Sequence, residues 1–396
     1  MPSPLASAWT LDPAVAFLNH GSFGACPRDV LAAQTALRAR MEREPVLFLG
    51  RELEGLLDSA RAALAAFVGA TPSSLALVTN ATQGVNAVLR SLALFTGDEL
   101  VVTDHEYNAT RTALDFAAGR AGAKVVVARL PFPIASSDQA IAPILEAITP
   151  RTRLVVVDHV TSPTALVLPL ERLVRELAAR GVDTLVDGAH AVGMLPLSLD
   201  ALGAAYYTSN CHKWLCAPKG AAFLYVRPDR QGEVRPTSIS HGANSPRGDR
   251  SRFLLEFDWT GTLDPTPWLC IPEAIRVVGA LVPGGWPEVM KRNRALALEA
   301  RALVGDALGV APACPNDLVG SLAAVVLPDA REGFAPLTER LYERHRVEVP
   351  ANPFPAWPRR VLRLSAQLYN AREDYQRLAA ALAEELRLES RPREAK

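Results

Sequence analysis

Lys213 stands in Ser209-Asn210-Cys211-His212-Lys213-Trp214, a polar loop between two apolar runs, 26 residues after Asp187. A buried amine gives up its proton readily and becomes a nucleophile toward an aldehyde, whereas a solvated one stays an ammonium. Val186-Asp187-Gly188-Ala189-His190 places a carboxylate at the end of an apolar run. From there it can keep a pyridinium nitrogen protonated through a charge-assisted hydrogen bond. Asn80-Ala81-Thr82-Gln83-Gly84 follows another apolar run and opens a helical stretch. Free N–H groups, the positive end of the helix dipole and a hydroxyl suit that position to a phosphate. Alone, each has an ordinary reading: a snorkelling lysine, a turn carboxylate, a simple helix cap. Together they ask for one ligand that carries an aldehyde, a pyridinium and a phosphate, which is pyridoxal 5′-phosphate.

Positioning these groups falls to an alternation of strand and helix patterns, the signature of an α/β fold with a mostly parallel sheet covered on both faces. Short runs rich in valine and leucine predict strands at 75–79, 100–103, 124–128, 154–158, 184–186, 204–209 and 221–226. Val85, Val88, Leu89 and Leu92, and again Leu170, Leu173, Val174 and Leu177, recur at helical spacing, and Gly181 supplies a stop for the second helix. Asp187 therefore reaches the carboxyl end of a parallel strand, the edge at which open α/β sheets bind ligands. The chain divides into an N-terminal segment, 1–70, packing with or reaching toward a small domain; a large cofactor-binding α/β domain, 71–285; and, from 286 to 396, a linker helix and a smaller α+β domain. Pro283-Gly284-Gly285 marks the second boundary.

Composition narrows the alternatives. Of 396 residues, 49% are hydrophobic and 21% charged, so the chain can bury a substantial core. The 42 basic residues balance the 42 acidic ones, and no basic run offers a nucleic-acid or anionic-membrane footprint. No apolar stretch approaches the about 18 residues of a spanning helix. No basic residue precedes Arg28 to begin a secretory leader, which makes cytoplasm the expected location. The five cysteines are scattered with no C-x-x-C pair, so neither a disulfide framework nor a zinc site is expected, the Cys211/His212/Cys216 cluster included. No G-x-G-x-x-G run supports nicotinamide binding.

Several motifs then resemble one family. Asn19-His20-Gly21-Ser22-Phe23-Gly24, Asp104-His105-Glu106-Tyr107-Asn108-Ala109, Asp158-His159-Val160-Thr161-Ser162-Pro163-Thr164, the stretches around Asp187 and Lys213, and Arg363-Leu364-Ser365-Ala366-Gln367 span nearly the whole chain. They resemble the class V aminotransferase superfamily of fold-type I pyridoxal-phosphate enzymes, in particular its isopenicillin N epimerase-like group. The resemblance implies that Lys213 forms the internal aldimine, Asp187 pairs with the ring nitrogen and His190 lies near the ring oxygen. It implies phosphate contacts from Thr82, Gln83 and His212, and from Gly261-Thr262 of the other subunit of a homodimer. Tyr107 falls where the family stacks an aromatic or histidine on the ring, and Ser162 where cysteine desulfurases commonly carry an asparagine near the cofactor.

Arg363 would hold an amino-acid α-carboxylate through its guanidinium fork. His20 and Ser22 are expected at the substrate entrance. The stretch 345–360 lacks the mobile-loop cysteine of the desulfurases, which disfavours persulfide chemistry. The implied reaction acts at Cα of an amino acid through an external aldimine and a quinonoid. Epimerisation leads, with β-elimination of cysteine conjugates by a C–S lyase or transamination as alternatives. Inversion needs a second acid, for which Tyr107, His105 and His20 are candidates.

Overall fold

The computed structural model describes residues 3–390. In chain order its strands are β1 (Ala16–Phe17), β2 (Leu75–Val78), β3 (Glu99–Thr103), β4 (Lys124–Ala128), β5 (Thr152–Asp158), β6 (Asp183–Asp187), β7 (Tyr206–Ser209), β8 (Ala222–Val226), β9 (Leu322–Leu327), β10 (Val347–Glu348), β11 (Ala351–Pro353) and β12 (Arg360–Ser365). Seven of them form one sheet in the order β2-β8-β7-β6-β5-β3-β4. Parallel pairing joins β7 through β4, while β8 lies antiparallel to both β7 and β2. Both faces are covered: one apolar cluster holds Val101, Val155, Val157 and Val186, and another holds Leu100, Val102, Leu154, Val156 and Leu185. Burial on both faces is why these strands read as continuous apolar runs rather than alternating ones.

The strand order fixes where a ligand can enter. From β3 the chain crosses outward to β4, then returns to the other side of β3 as β5 and continues to β6 and β7. That reversal is the topological switch point, with its crevice at the carboxyl ends of β3 and β5. The segments leaving β3, β5 and β6 begin with Asp104, His159 and Gly188. Asp158 and Asp187 end adjacent parallel strands as register partners. The helix Leu170–Ala178 that links β5 to β6 buries Leu170, Leu173, Val174 and Leu177, and Gly181 turns the chain at φ +71°.

Residues 3–70 divide their contacts. β1 pairs in parallel with β10, while the helix Leu53–Val68 packs on β2 and on the helix Ile271–Ala280. The helix Gly285–Leu308 lies against β9 and the C-terminal helix Arg372–Ser390, and β9, β12 and β11 form a separate antiparallel sheet. Among the described residues, no single helix is long and apolar enough to cross a membrane.

Candidate active site

Asp187 closes β6 and is buried. Its Oδ2 accepts Thr110 Oγ1–H at 2.9 Å and its Oδ1 accepts the Ala189 N–H at 3.0 Å. Burial pushes the carboxyl above the usual range, and these two donors, with Lys213, work against it. Two more carboxyl groups converge there. Oxygens of Glu106, after β3, and Asp158, at the end of β5, lie within 4.8 Å of Asp187 and of each other. Burial and mutual repulsion drive both well above the carboxylate range.

Lys213 lies in the loop that joins β7 to β8, and its Nζ is 3.3 Å from His190 Nε2. Burial, helped by the Arg363 guanidinium, lowers its pKa to about 7 against the opposing pull of Asp187 and Asp158. The amine is thus available as a neutral nucleophile and base near neutral pH. His190 is buried, with Nδ1 accepting the Trp214 Nε1–H at 3.4 Å. An indole N–H only donates, so the neutral imidazole carries its proton on Nε2, toward the lysine.

His20 departs from its expected place at the entrance. It is fully buried, its Nε2 donates to the Lys213 carbonyl at 3.0 Å, and its Nδ1 accepts the Tyr369 hydroxyl at 2.9 Å. Nε2 thus holds the lysine's backbone, while Tyr369 fixes the ring from the other nitrogen. Gly24 closes the same contact: a Cβ there would sit 2.6 Å from the carbonyl oxygens of His212 and Lys213. Backbone cannot yield as a side chain would, so Gly24→Ala is expected to cost about 1–3 kcal/mol of stability. Thermal unfolding should show a lowered Tm, and absorbance a weaker hold on the cofactor.

Arg363 is buried on β12. One terminal nitrogen donates to the Ser162 carbonyl at 2.7 Å and to its hydroxyl at 3.2 Å; the other donates to Ser22 Oγ at 2.8 Å. Its Nε is buried without a partner among the described residues. Burial lowers its pKa to about 10, which leaves it charged at neutral pH. Ser162, expected on the cofactor, braces this guanidinium together with Ser22.

The helix Ala81–Ser91 begins beside β7, and Gly84 permits the approach, since a Cβ would lie 2.3 Å from Thr208 Oγ1. Fewer amides are free here than the sequence implies. The Gln83 N–H goes to Asn80 Oδ1 and the Ala81 N–H to Asn210 Oδ1, both at 2.8 Å. Gln83 Oε1 accepts from Thr79, which leaves its amide N–H groups as donors. His212 is half-buried and donates Nδ1–H to the Ala221 carbonyl at 3.0 Å, and burial lowers its pKa to about 4. Tyr107 and Thr262 are exposed, and Gly261 holds the left-handed φ of +128°. His105 points elsewhere: Nδ1 pairs with Thr164 Oγ1 at 2.7 Å and the ring packs edge-on against Phe132 and Phe354.

Glu106, Asp158, Thr110 and Trp214 are the site residues that sequence reasoning did not single out. Asp158 had a local signal, since like Asp187 it ends an apolar run with an acid.

The family model for aminotransferase class V matches residues 27–253. Isopenicillin N epimerase of Streptomyces clavuligerus is 39% identical over 94% of this chain and 95% of its own. A probable chloroplastic L-cysteine desulfhydrase of Arabidopsis thaliana is 31% identical over 94% of this chain and 83% of its own. Among solved structures, the cystine C–S lyase C-DES in complex with cysteine persulfide superposes with a TM-score of 0.78 at 24% identity, covering 93% of this chain and 97% of that one. The fold is that of the fold-type I pyridoxal-phosphate enzymes. A buried carboxyl group, an amine with a lowered pKa and a helix start have the chemistry to suit a ring nitrogen, an aldehyde and a phosphate, and the cofactor is pyridoxal 5′-phosphate. The chain belongs to the aminotransferase class V family.

Proposed function

We propose that the protein acts at Cα of an amino acid and inverts it, as the name of its 39%-identical relatives describes for them. The observation that carries this reading is an amine with a pKa of about 7, 3.3 Å from His190, in one site with the buried guanidinium of Arg363. Bound pyridoxal 5′-phosphate supplies an aldehyde that condenses with the substrate amine and a ring that accepts the electron pair left at Cα.

Asp187 would hold the protonated ring nitrogen by a charge-assisted hydrogen bond. Thr82 and the Gln83 amide donate to the phosphate. His212 joins them by taking a second proton on Nε2, which the phosphate charge favours. Gly261-Thr262 of a second copy would complete that cradle, making the working unit a homodimer in which each copy has a large domain (71–285), a linker helix and small domain (286–396), and an N-terminal segment packing with the small domain. Arg363, held by Ser22 and Ser162, fixes the α-carboxylate so that the Cα–H bond faces Lys213, whose neutral amine removes the proton. His190 Nε2–H, beside the lysine, would be the donor available to the ring oxygen.

Return of a proton to the opposite face falls to Tyr107. His20 and His105 are committed to the Lys213 carbonyl and to Thr164, whereas Tyr107 is exposed and lies close enough to Arg363 to act on that guanidinium.

Incubating the holoenzyme with a panel of amino acids in deuterated water tests the reading. Deuterium at Cα with loss of optical purity supports it. Retained configuration overturns it. A second reading, β-elimination from a cysteine derivative, is favoured by the relatives named as L-cysteine desulfhydrases. It predicts pyruvate and ammonia, and a keto acid formed only with stoichiometric amination of the cofactor would mean transamination.

The lysine also sets a pH dependence for assembly. Only the neutral amine attacks an aldehyde, so capture of cofactor by the apoprotein is expected to accelerate as pH rises through about 7 and then level off. Stopped-flow absorbance checks this; a midpoint near that of an unperturbed lysine would contradict it.

A further inference from the structure

Three carboxyl groups meet at the deep end of the site, and the roles above employ one of them. Asp158 and Asp187 end neighbouring strands, Glu106 follows β3, and an oxygen of each lies within 4.8 Å of the others. Three buried anions that close cannot coexist, so the cluster retains protons. Its hydrogen bonds single out the group best supported as an anion. Asp187 receives two donors, Thr110 Oγ1–H and the Ala189 N–H. Glu106 Oε2 and Asp158 Oδ2 are shut off from water and have no partner among the described residues.

A buried carboxylate oxygen with no donor is costly. The same oxygen carrying a proton becomes a donor itself, and the carboxyl groups that could accept from it converge within 4.8 Å. Glu106 Oε1 already accepts the Tyr107 N–H at 3.0 Å, which assigns the proton to Oε2. The remaining neighbours do not supply a donor in its place. The Tyr207 hydroxyl, which feels the Asp187 charge, pairs with His159 Nδ1 at 2.7 Å, and Lys213 pairs with His190.

We propose that Glu106 is a positioning residue that keeps its proton at neutral pH and donates it within the carboxyl cluster, leaving Asp187 as the one anion opposite the cofactor's ring nitrogen. Asp158, protonated likewise, completes a pocket whose single negative charge matches a single cationic ring. The proposal rests on the role given to Asp187 above, and its test separates the two.

Cofactor affinity is measured by titrating apoprotein with pyridoxal 5′-phosphate and following absorbance across pH. Glu106→Gln preserves a neutral donor and should leave Kd within about twofold of wild type, whereas Glu106→Ala should weaken it by about threefold or more. Asp187→Asn removes the anion and should weaken binding about ten- to a hundredfold while shifting the pH titration of the bound chromophore. Glu106→Gln as damaging as Asp187→Asn would make Glu106 an anion and overturn the proposal. An innocuous Glu106→Ala would deny it any positioning effect. An innocuous Asp187→Asn would instead defeat the reading of Asp187. Infrared difference spectra of the wild-type holoprotein at pH 7 give an independent readout. A carboxylic-acid C=O band that disappears in Glu106→Gln is expected, and its absence from the wild type contradicts the proposal even where a variant fails to fold.

Discussion

Lys213→Ala is expected to reduce turnover by at least about 10³-fold, because in the proposed mechanism it removes both the nucleophile and the general base. The loss should be chemical and not structural. Lys213 contributes a neutral amine whose side-chain partner is His190, and the backbone contacts of that loop run through its carbonyl to His20 and through Gly24, which the substitution leaves in place. Asp187 and the helix start at Ala81 are untouched, so the variant should still take up cofactor reversibly while losing the yellow colour of the lysine adduct. Added primary amines should restore part of the rate. Far-UV circular dichroism and thermal unfolding close to wild type, with turnover at the background level, is the expected combination; a variant with most of its activity would remove the lysine from the mechanism.

Arg363→Lys should be nearly as damaging as Arg363→Ala. The guanidinium is anchored on two sides, by Ser162 and Ser22, and its Nε is buried with no partner among the described residues. In the proposed role, an incoming carboxylate would supply that partner and receive a planar fork that a lysine ammonium cannot reproduce. Loss of about 2–3 kcal/mol corresponds to a fall in kcat/KM of about 30- to 150-fold. KM should carry most of the change, cofactor affinity should stay near wild type, and simple amines without a carboxylate should react equally with both proteins. Full activity of the lysine variant would show that a point charge suffices, against the fork geometry.

How much of this was legible in the sequence depends on distance along the chain. β5 and β6 were readable because burial on both faces leaves uninterrupted valine and leucine, and each ends in an acid. The position of Asp187 at a strand end and of Lys213 in a loop between two strands was readable on the same grounds. The carboxyl cluster was not readable, because it requires β3 and β5 to be adjacent, and that adjacency arises from the crossover out to β4 and back. His20 was misplaced for a similar reason: its partner, the Lys213 carbonyl, lies 193 residues away, and a histidine beside glycines reads locally as an entry loop. Ser162 and Arg363 meet across 201 residues. The short edge strand β11 was missed because it includes Pro353, a residue that argues against a central strand and is tolerated at an edge.

The chain has five lysines, at positions 124, 213, 219, 291 and 396. Reconstituting the apoprotein with pyridoxal 5′-phosphate, reducing it with borohydride and sequencing its peptides by mass spectrometry therefore tests the central claim directly. One reduced pyridoxyl group per chain, on the peptide and residue of Lys213, is the predicted result. Label on Lys219 or any other lysine in its place, or no stoichiometric label, would contradict the account.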